Sequence, residues 1–159
     1  MKRRHLLILS WVFCALLPAW ADSALRDVEQ QIASRQFSKA LTQLDSLLAN
    51  DRHNPQYQFY RAQALLGSGQ QDKAISQYQS LIRSYPDLPE AYNNLAVIYF
   101  QQGKPEQARM VLEKAMQAHA GYAQVYKNLQ ALNASRARDA YARALQIPAK
   151  HPPLELHST

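Results

Sequence analysis

Asn94 and Asn128 stand 34 residues apart, and their carboxamides are the plainest offer of chemistry in the chain. A carboxamide carries two N–H donors and an acceptor oxygen, so one such group bridges both halves of a peptide unit in an extended main chain. Phe59, Tyr60 and Phe100 could add apolar faces to these amides, which would suit a neutral, partly apolar strand or helix better than a charged ligand. The same rings serve equally as packing between helices. Nothing comparable builds a reaction centre. His53, His119, His151 and His157 are scattered, with no i, i+4 pair of the kind that binds zinc on a helix. A tail running from His151 through Pro152 and Pro153 to His157 would hold a metal only by accident of being ordered. The sequence has no Gly-rich phosphate loop, no serine elbow and no obvious carboxylate pair. It reads as a non-enzyme with no cofactor and no metal.

Amides one period apart need elements that repeat with that period. Residues Tyr92 to Ala115 repeat the pattern of Gln58 to Leu81, with Ala62, Gly69 and Ala74 falling in register with Ala96, Gly103 and Ala108. Tyr92, Leu95, Ala96 and Tyr99 lie at i, i+3, i+4 and i+7, one stripe of an amphipathic helix. Gly103 then suits a left-handed helix end, and Pro105 opens the next helix, where its missing N–H costs nothing. Ala108, Leu112 and Ala115 form the second stripe, and small residues at Ala96 and Ala108 let two helices approach to about 8–10 Å. The preceding copy reads alike: Ala62 and Leu65, a turn at Gly67-Ser68-Gly69, then Ala74, Tyr78 and Leu81. It is closed by Tyr85-Pro86, because proline cannot continue a helix. A period of paired helices marks a solenoid, whose units bury their faces only against neighbours.

The sequence Tyr92-x2-Leu95-Ala96-x2-Tyr99, followed by Ala108-x3-Leu112-x2-Ala115, resembles the tetratricopeptide repeat, with Tyr and Ala in place of the usual Trp and Gly. Pro86 matches the closing proline of that motif, whereas Ala120 stands where the next unit would have its own. The resemblance implies an all-α, right-handed solenoid of antiparallel helix pairs that binds peptides or protein segments on its inner face. Residues turned away from the stripe on each first helix then line a groove. They are Glu90, Asn93, Asn94, Val97 and Phe100 in the third unit, Phe59, Tyr60 and Gln63 one period earlier, and Gln124, Lys127 and Asn128 one period later. Asn94 and Asn128 match the asparagine that many peptide-binding repeats of this family use to hold a ligand backbone, although Asn is also an ordinary surface or interhelix residue there. Repeats that clamp a terminal carboxylate place Lys and Arg where this chain has Phe59, Gln63 and Gln124, which argues against that mode.

Both ends depart from the pattern. Ala40, Leu44 and Leu47 continue the register upstream behind a Val28/Ile32 stripe, but Arg35 replaces the turn glycine, so the first unit is degenerate. Downstream, Tyr126 and Leu129 repeat Tyr92 and Leu95, after which Leu132, Ala137, Ala140, Tyr141, Ala144 and Leu145 keep nearly one helical period without a Gly or Pro. One long capping helix is favoured over a shortened pair. The expected organisation is units at 22–54, 55–88 and 89–122, a degenerate cap at 123–147 and a flexible tail at 148–159.

The N-terminus reads as a sorting signal spanning 1–21. Lys2-Arg3-Arg4-His5 is a basic head, Leu6 to Leu17 an apolar stretch, and Ala19-Trp20-Ala21 a small-x-small cleavage site. The apolar stretch is shorter than the ~18 residues of a membrane span. Cleavage after Ala21 is expected, with an uncleaved membrane tether as the alternative. Cleavage would also remove Cys14, the sole cysteine, leaving 138 of the 159 residues held by their core alone. A cysteine-free exported solenoid fits a bacterial periplasm.

The formal charge of +6 includes three from Lys2, Arg3 and Arg4. The remaining excess lies in the last quarter, through Lys127, Arg136, Arg138, Arg143 and Lys150 against Asp139 and Glu155. A solvated helix face is the first reading, a basic edge toward an acidic partner the second. No stripe of basic and aromatic residues runs through the body, so nucleic acid is not expected. The sequence thus points to an exported adaptor for a protein or peptide partner, such as an envelope enzyme or assembly factor. The alternative is a structural component that self-associates through its ends, a weak homo-oligomer, or a cell-wall-associated accessory protein.

Overall fold

The computed structural model describes residues 17–118, 122–145 and 155–159, with the side chains of 17–22 and 123 excepted. Among these residues the secondary structure is helical throughout: α1 (Leu17–Ala33), α2 (Phe37–Asn50), α3 (Pro55–Gly67), α4 (Gln71–Ser84), α5 (Pro89–Gln101), α6 (Pro105–Ala118) and α7 (Ala123–Ala144). The expected sorting signal lies outside the described residues up to 16, and 17–21 form the first turns of α1. The chain divides into two compact units, Met1–Gly69 and Gln70–Thr159.

Helix boundaries follow local chemistry. Pro55, Pro89 and Pro105 each open a helix, where a missing N–H is harmless. Asn54 caps α3 by accepting hydrogen bonds from the Gln56 and Tyr57 amides at 3.0 and 3.2 Å. α5 ends in a Schellman turn: Gly103 at φ +72° donates to the Phe100 carbonyl, and Lys104 donates to that of Tyr99. Arg35 adopts φ +58° and closes α1 through the same two bonds, Arg35 to Ile32 and Gln36 to Gln31. The degenerate unit therefore keeps the turn while lacking the glycine.

In the first unit, α1, α2 and α3 enclose Val28, Ala40, Leu44, Tyr57 and Ala64, with Leu25, Ile32, Leu41, Leu47 and Leu48 packed around them. Gln43 ties α2 to α1 by donating to the Ala24 carbonyl and accepting from Gln31. Arg61 of α3 pairs with Asp45 of α2 at 2.8 Å. Gly67 sits so close to Phe37 that a Cβ would lie 2.3 Å from the ring. In the second unit, the core runs through Tyr92, Ala96, Ala108, Leu112, Ala115, Val125 and Leu132. α5 is its centre, with every residue from Ala91 to Ile98 buried. Such all-round burial requires neighbours on every side; α4, α6 and α7 pack against it, and residues 155–159 bond its asparagines.

α7 is a single helix of 22 residues, and it corrects two details of the expected stripe. Tyr126 is 49% exposed and Val125 takes the buried place beside it. Farther along, Tyr141 and Leu145 are 72% and 59% exposed, and Ala137, Ala140 and Ala144 face solvent. The reason is length: at 1.5 Å per residue α7 spans about 33 Å against about 21 Å for α6. Arg136 already stands opposite Glu106 in the first turn of α6, at 3.1 Å, so most side chains in the last turns of α7 lie beyond that neighbour, while Ala142 stays buried.

Candidate functional site

The asparagines of the second unit converge. Asn93 and Asn94 lie side by side on α5, Asn128 one period on in α7, and the three are 0%, 2% and 1% exposed. Asn128 Nδ2 donates to Asn93 Oδ1 at 2.9 Å, which locks the two helices' amides together. Gln124, one turn earlier on α7, donates to Asn128 Oδ1 at 3.1 Å. Asn94 Nδ2 donates to the hydroxyl of Tyr78, a fully buried α4 residue, at 3.2 Å. Burial drives the Tyr78 phenol well above its ordinary pKa, and the bond from Asn94 only partly offsets this. It is therefore a neutral hydrogen-bonding post.

These amides hold a length of main chain. Asn128 Oδ1 accepts from the His157 N–H at 3.1 Å, while Asn128 and Asn93 Nδ2 donate to the His157 carbonyl at 2.7 and 2.9 Å. Two residues on, Asn94 Oδ1 accepts from the Thr159 N–H at 2.9 Å and from its hydroxyl at 3.1 Å; Asn94 Nδ2 donates to the Thr159 carbonyl at 3.2 Å. Bonding at i and i+2 matches the two-residue repeat of an extended chain, and residues 155–159 belong to no helix or sheet. Leu156 packs on the apolar cluster of the unit. Tyr122 has its pKa raised, chiefly by burial, lowered again by a hydrogen bond to Thr159 and raised further by the charge of Glu90. Rather than trailing free, residues 155–159 of the expected tail are seated on the asparagines; 148–154 lie outside the described residues.

The other expected groove residues divide as follows. Val97 is buried, Glu90 half-buried, Phe100 half-buried against the core, and Lys127 exposed. In the first unit, Phe59 and Tyr60 meet edge to face with centroids 5.7 Å apart, and Gln63 is half-buried on the same helix. Tyr60 donates to Glu29 of α1, and burial together with that carboxylate pushes its pKa up to about 12. Tyr60 also packs on the first unit's core. Sequence reading missed Tyr78, whose place in the Ala74/Tyr78/Leu81 stripe marked it only as packing. It missed Tyr122 and the strand as well. Among the described residues no group of three or more His, Cys, Asp or Glu is placed to hold a metal.

Helix pairs of a fixed period, joined by Schellman turns and carrying inward amides, define a helical-repeat protein. A family model described as tetratricopeptide repeat matches residues 30–89 and again 61–123, and the chain belongs to that family. No curated protein matches. Solved structures share the fold. The type III secretion translocator chaperone SycD of Yersinia enterocolitica is 18% identical at a TM-score of 0.63, covering 73% of this chain and 85% of that one. The Sgt2 TPR domain of Aspergillus fumigatus is 21% identical at 0.65, covering 87% and 89%. A tetratricopeptide repeat protein of Parabacteroides merdae is 18% identical at 0.58, covering 77% of this chain and 51% of that one. The fold class is an all-α solenoid of tetratricopeptide type, with α7 as its last helix.

Proposed function

We propose that this chain is a non-enzymatic interaction module that docks an extended segment of another protein on the amides of Asn93, Asn94 and Asn128. The observation that carries this reading is the main-chain segment at 155–159. Its main-chain N–H and C=O groups at two alternate residues are bonded by asparagines from two successive repeats. Main-chain recognition of this kind gives affinity for a strand, with specificity left to a few side-chain contacts. The family is built of helix pairs that present such faces, and SycD is described as a chaperone for translocators, which fits a partner-holding role.

The basic head, apolar stretch and Ala19-Trp20-Ala21 support export, and the reading is therefore an exported, periplasmic adaptor. A photoreactive side chain at Lys127, exposed one residue before Asn128, tests the docking site in cells. It should crosslink to a segment of a second protein, and Asn94→Ala with Asn128→Ala should cut the yield at least ten-fold. Equal crosslinking in the double variant would refute the groove. One observation favours a second reading, self-association: the exposed Tyr141 and Leu145 at the end of α7. A light-scattering mass of one chain at micromolar concentration would exclude it.

A further inference from the structure

From the way the groove is filled, we infer that residues 155–159 are a tethered mimic of its partner: they occupy the docking site within the same chain, and an incoming strand must displace them. This rests on the reading of the asparagine face as a docking site. The bonds to the strand use the hydrogen-bonding capacity of the amides almost completely. Asn128 satisfies both N–H groups and both lone pairs through His157, Asn93 and Gln124. Asn94 does the same through Thr159 and Tyr78. Buried amides left without partners cost stability, so a face of this composition must be covered by main chain or by ordered water.

The mimic also states what the partner looks like. The side chains of His157, Ser158 and Thr159 are exposed, and the contacts to residue 157 are to its backbone. Side-chain selection falls on two positions only: Leu156, packed on the apolar cluster, and Thr159, whose hydroxyl donates to Asn94. The strand runs from Asn128 toward Asn94. A partner segment therefore has an aliphatic residue, two indifferent residues and then a Ser or Thr, bound in that direction. Tethering places the mimic at an effective concentration on the order of millimolar, so a free peptide with a Kd of ~100 µM would lose about ten-fold in apparent affinity.

The test uses the full chain and a fluorescein-labelled peptide, Leu-Glu-Leu-His-Ser-Thr, copying residues 154–159. Leu156→Asp with His157→Pro removes the apolar anchor and the N–H that Asn128 accepts, without touching a helix. The peptide should bind this variant at least ten-fold more tightly than the wild type, and adding Asn94→Ala should abolish the gain. Amide exchange in the wild type gives a check that needs no variant: the His157 and Thr159 N–H groups should be protected and that of Ser158 should not. Equal peptide binding by wild type and the Leu156→Asp/His157→Pro chain would overturn the tethered mimic. So would uniform, fast exchange across 157–159. Either failure leaves the docking site to be judged by the Lys127 crosslinks, which report on a different protein. A wild-type dimer that reverts to one chain in the tail variant would place a second copy's strand in the groove and would also overturn the intramolecular form.

Discussion

A carboxamide is a good strand holder because it donates and accepts at once, and its usefulness depends on being held still. Asn128 is held by Gln124 and Asn93, Asn94 by Tyr78. Asn128→Ala should therefore do more than loosen the strand, since it leaves Asn93 Oδ1 buried without its donor. An unsatisfied buried polar group costs about 1–3 kcal/mol, and urea unfolding should show a loss of that size. Asn128→Asp should fare little better, because a carboxylate accepts from His157 N–H but cannot donate to its carbonyl. Tyr60 gives a prediction with a sign. Its folded pKa of about 12 exceeds the ordinary value of 10, so the unfolded chain ionises first as pH rises. The stabilisation is complete below pH 10 and is lost as pH climbs from about 10 through 12. Tyr60→Phe should reduce the slope of that part of an alkaline stability curve, to which the buried Tyr78 also contributes, and a slope unchanged by the substitution would contradict the burial of Tyr60 beside Glu29.

At the scale of elements, the three turns at 35, 69 and 103 are a natural experiment in left-handed backbone. Gly69 and Gly103 have φ of +80° and +72°, and nothing lies within 4 Å of a Cβ added to either. Arg35 holds φ +58° with a side chain attached. A non-glycine residue there pays about 1–2 kcal/mol, against the ~0.4–1 kcal/mol by which glycine favours the unfolded chain. Arg35→Gly should then stabilise by about 0.5–1 kcal/mol and Gly103→Ala should destabilise by a similar amount, both read from urea midpoints at constant m. These hairpins were legible in the sequence because their signals are local: Gly103 stops α5, Pro105 starts α6, and the stripes of Ala96 and Ala108 face each other. The reach of α7 was not legible. Its apolar period continues to Leu145, but burial depends on how long α6 is, and nothing in the sequence of α7 records that. The strand was hidden for a related reason. Asn94 and Asn128 advertise that they can hold main chain, yet which main chain they hold is a pairing between residues 29 and 65 positions apart, and no periodicity encodes it.

At the scale of the whole chain, the expected removal of residues 1–21 makes a claim about where stability begins. Among the described side chains of α1, Leu25 packs on the core of unit 1 and Val28 is fully buried. The bonds that tie α1 to its neighbours include those at the Ala24 carbonyl, Glu29 and Gln31. Residues 17–21 extend the helix ahead of all of these. A sorting signal that is removed from the mature protein is not part of its cooperative fold. The chain beginning at Asp22 should therefore melt within about 2 °C of the full chain, a difference below that expected for 1 kcal/mol in a domain of this size. Its formal charge should fall from +6 to +3 with the loss of Lys2, Arg3 and Arg4. Intact mass of the protein recovered from a bacterial envelope fraction should begin at Asp22. A mass that retains residues 1–21 would replace the released adaptor with a tethered one. A melting point lowered by many degrees on their removal would move the start of the core upstream of Leu25.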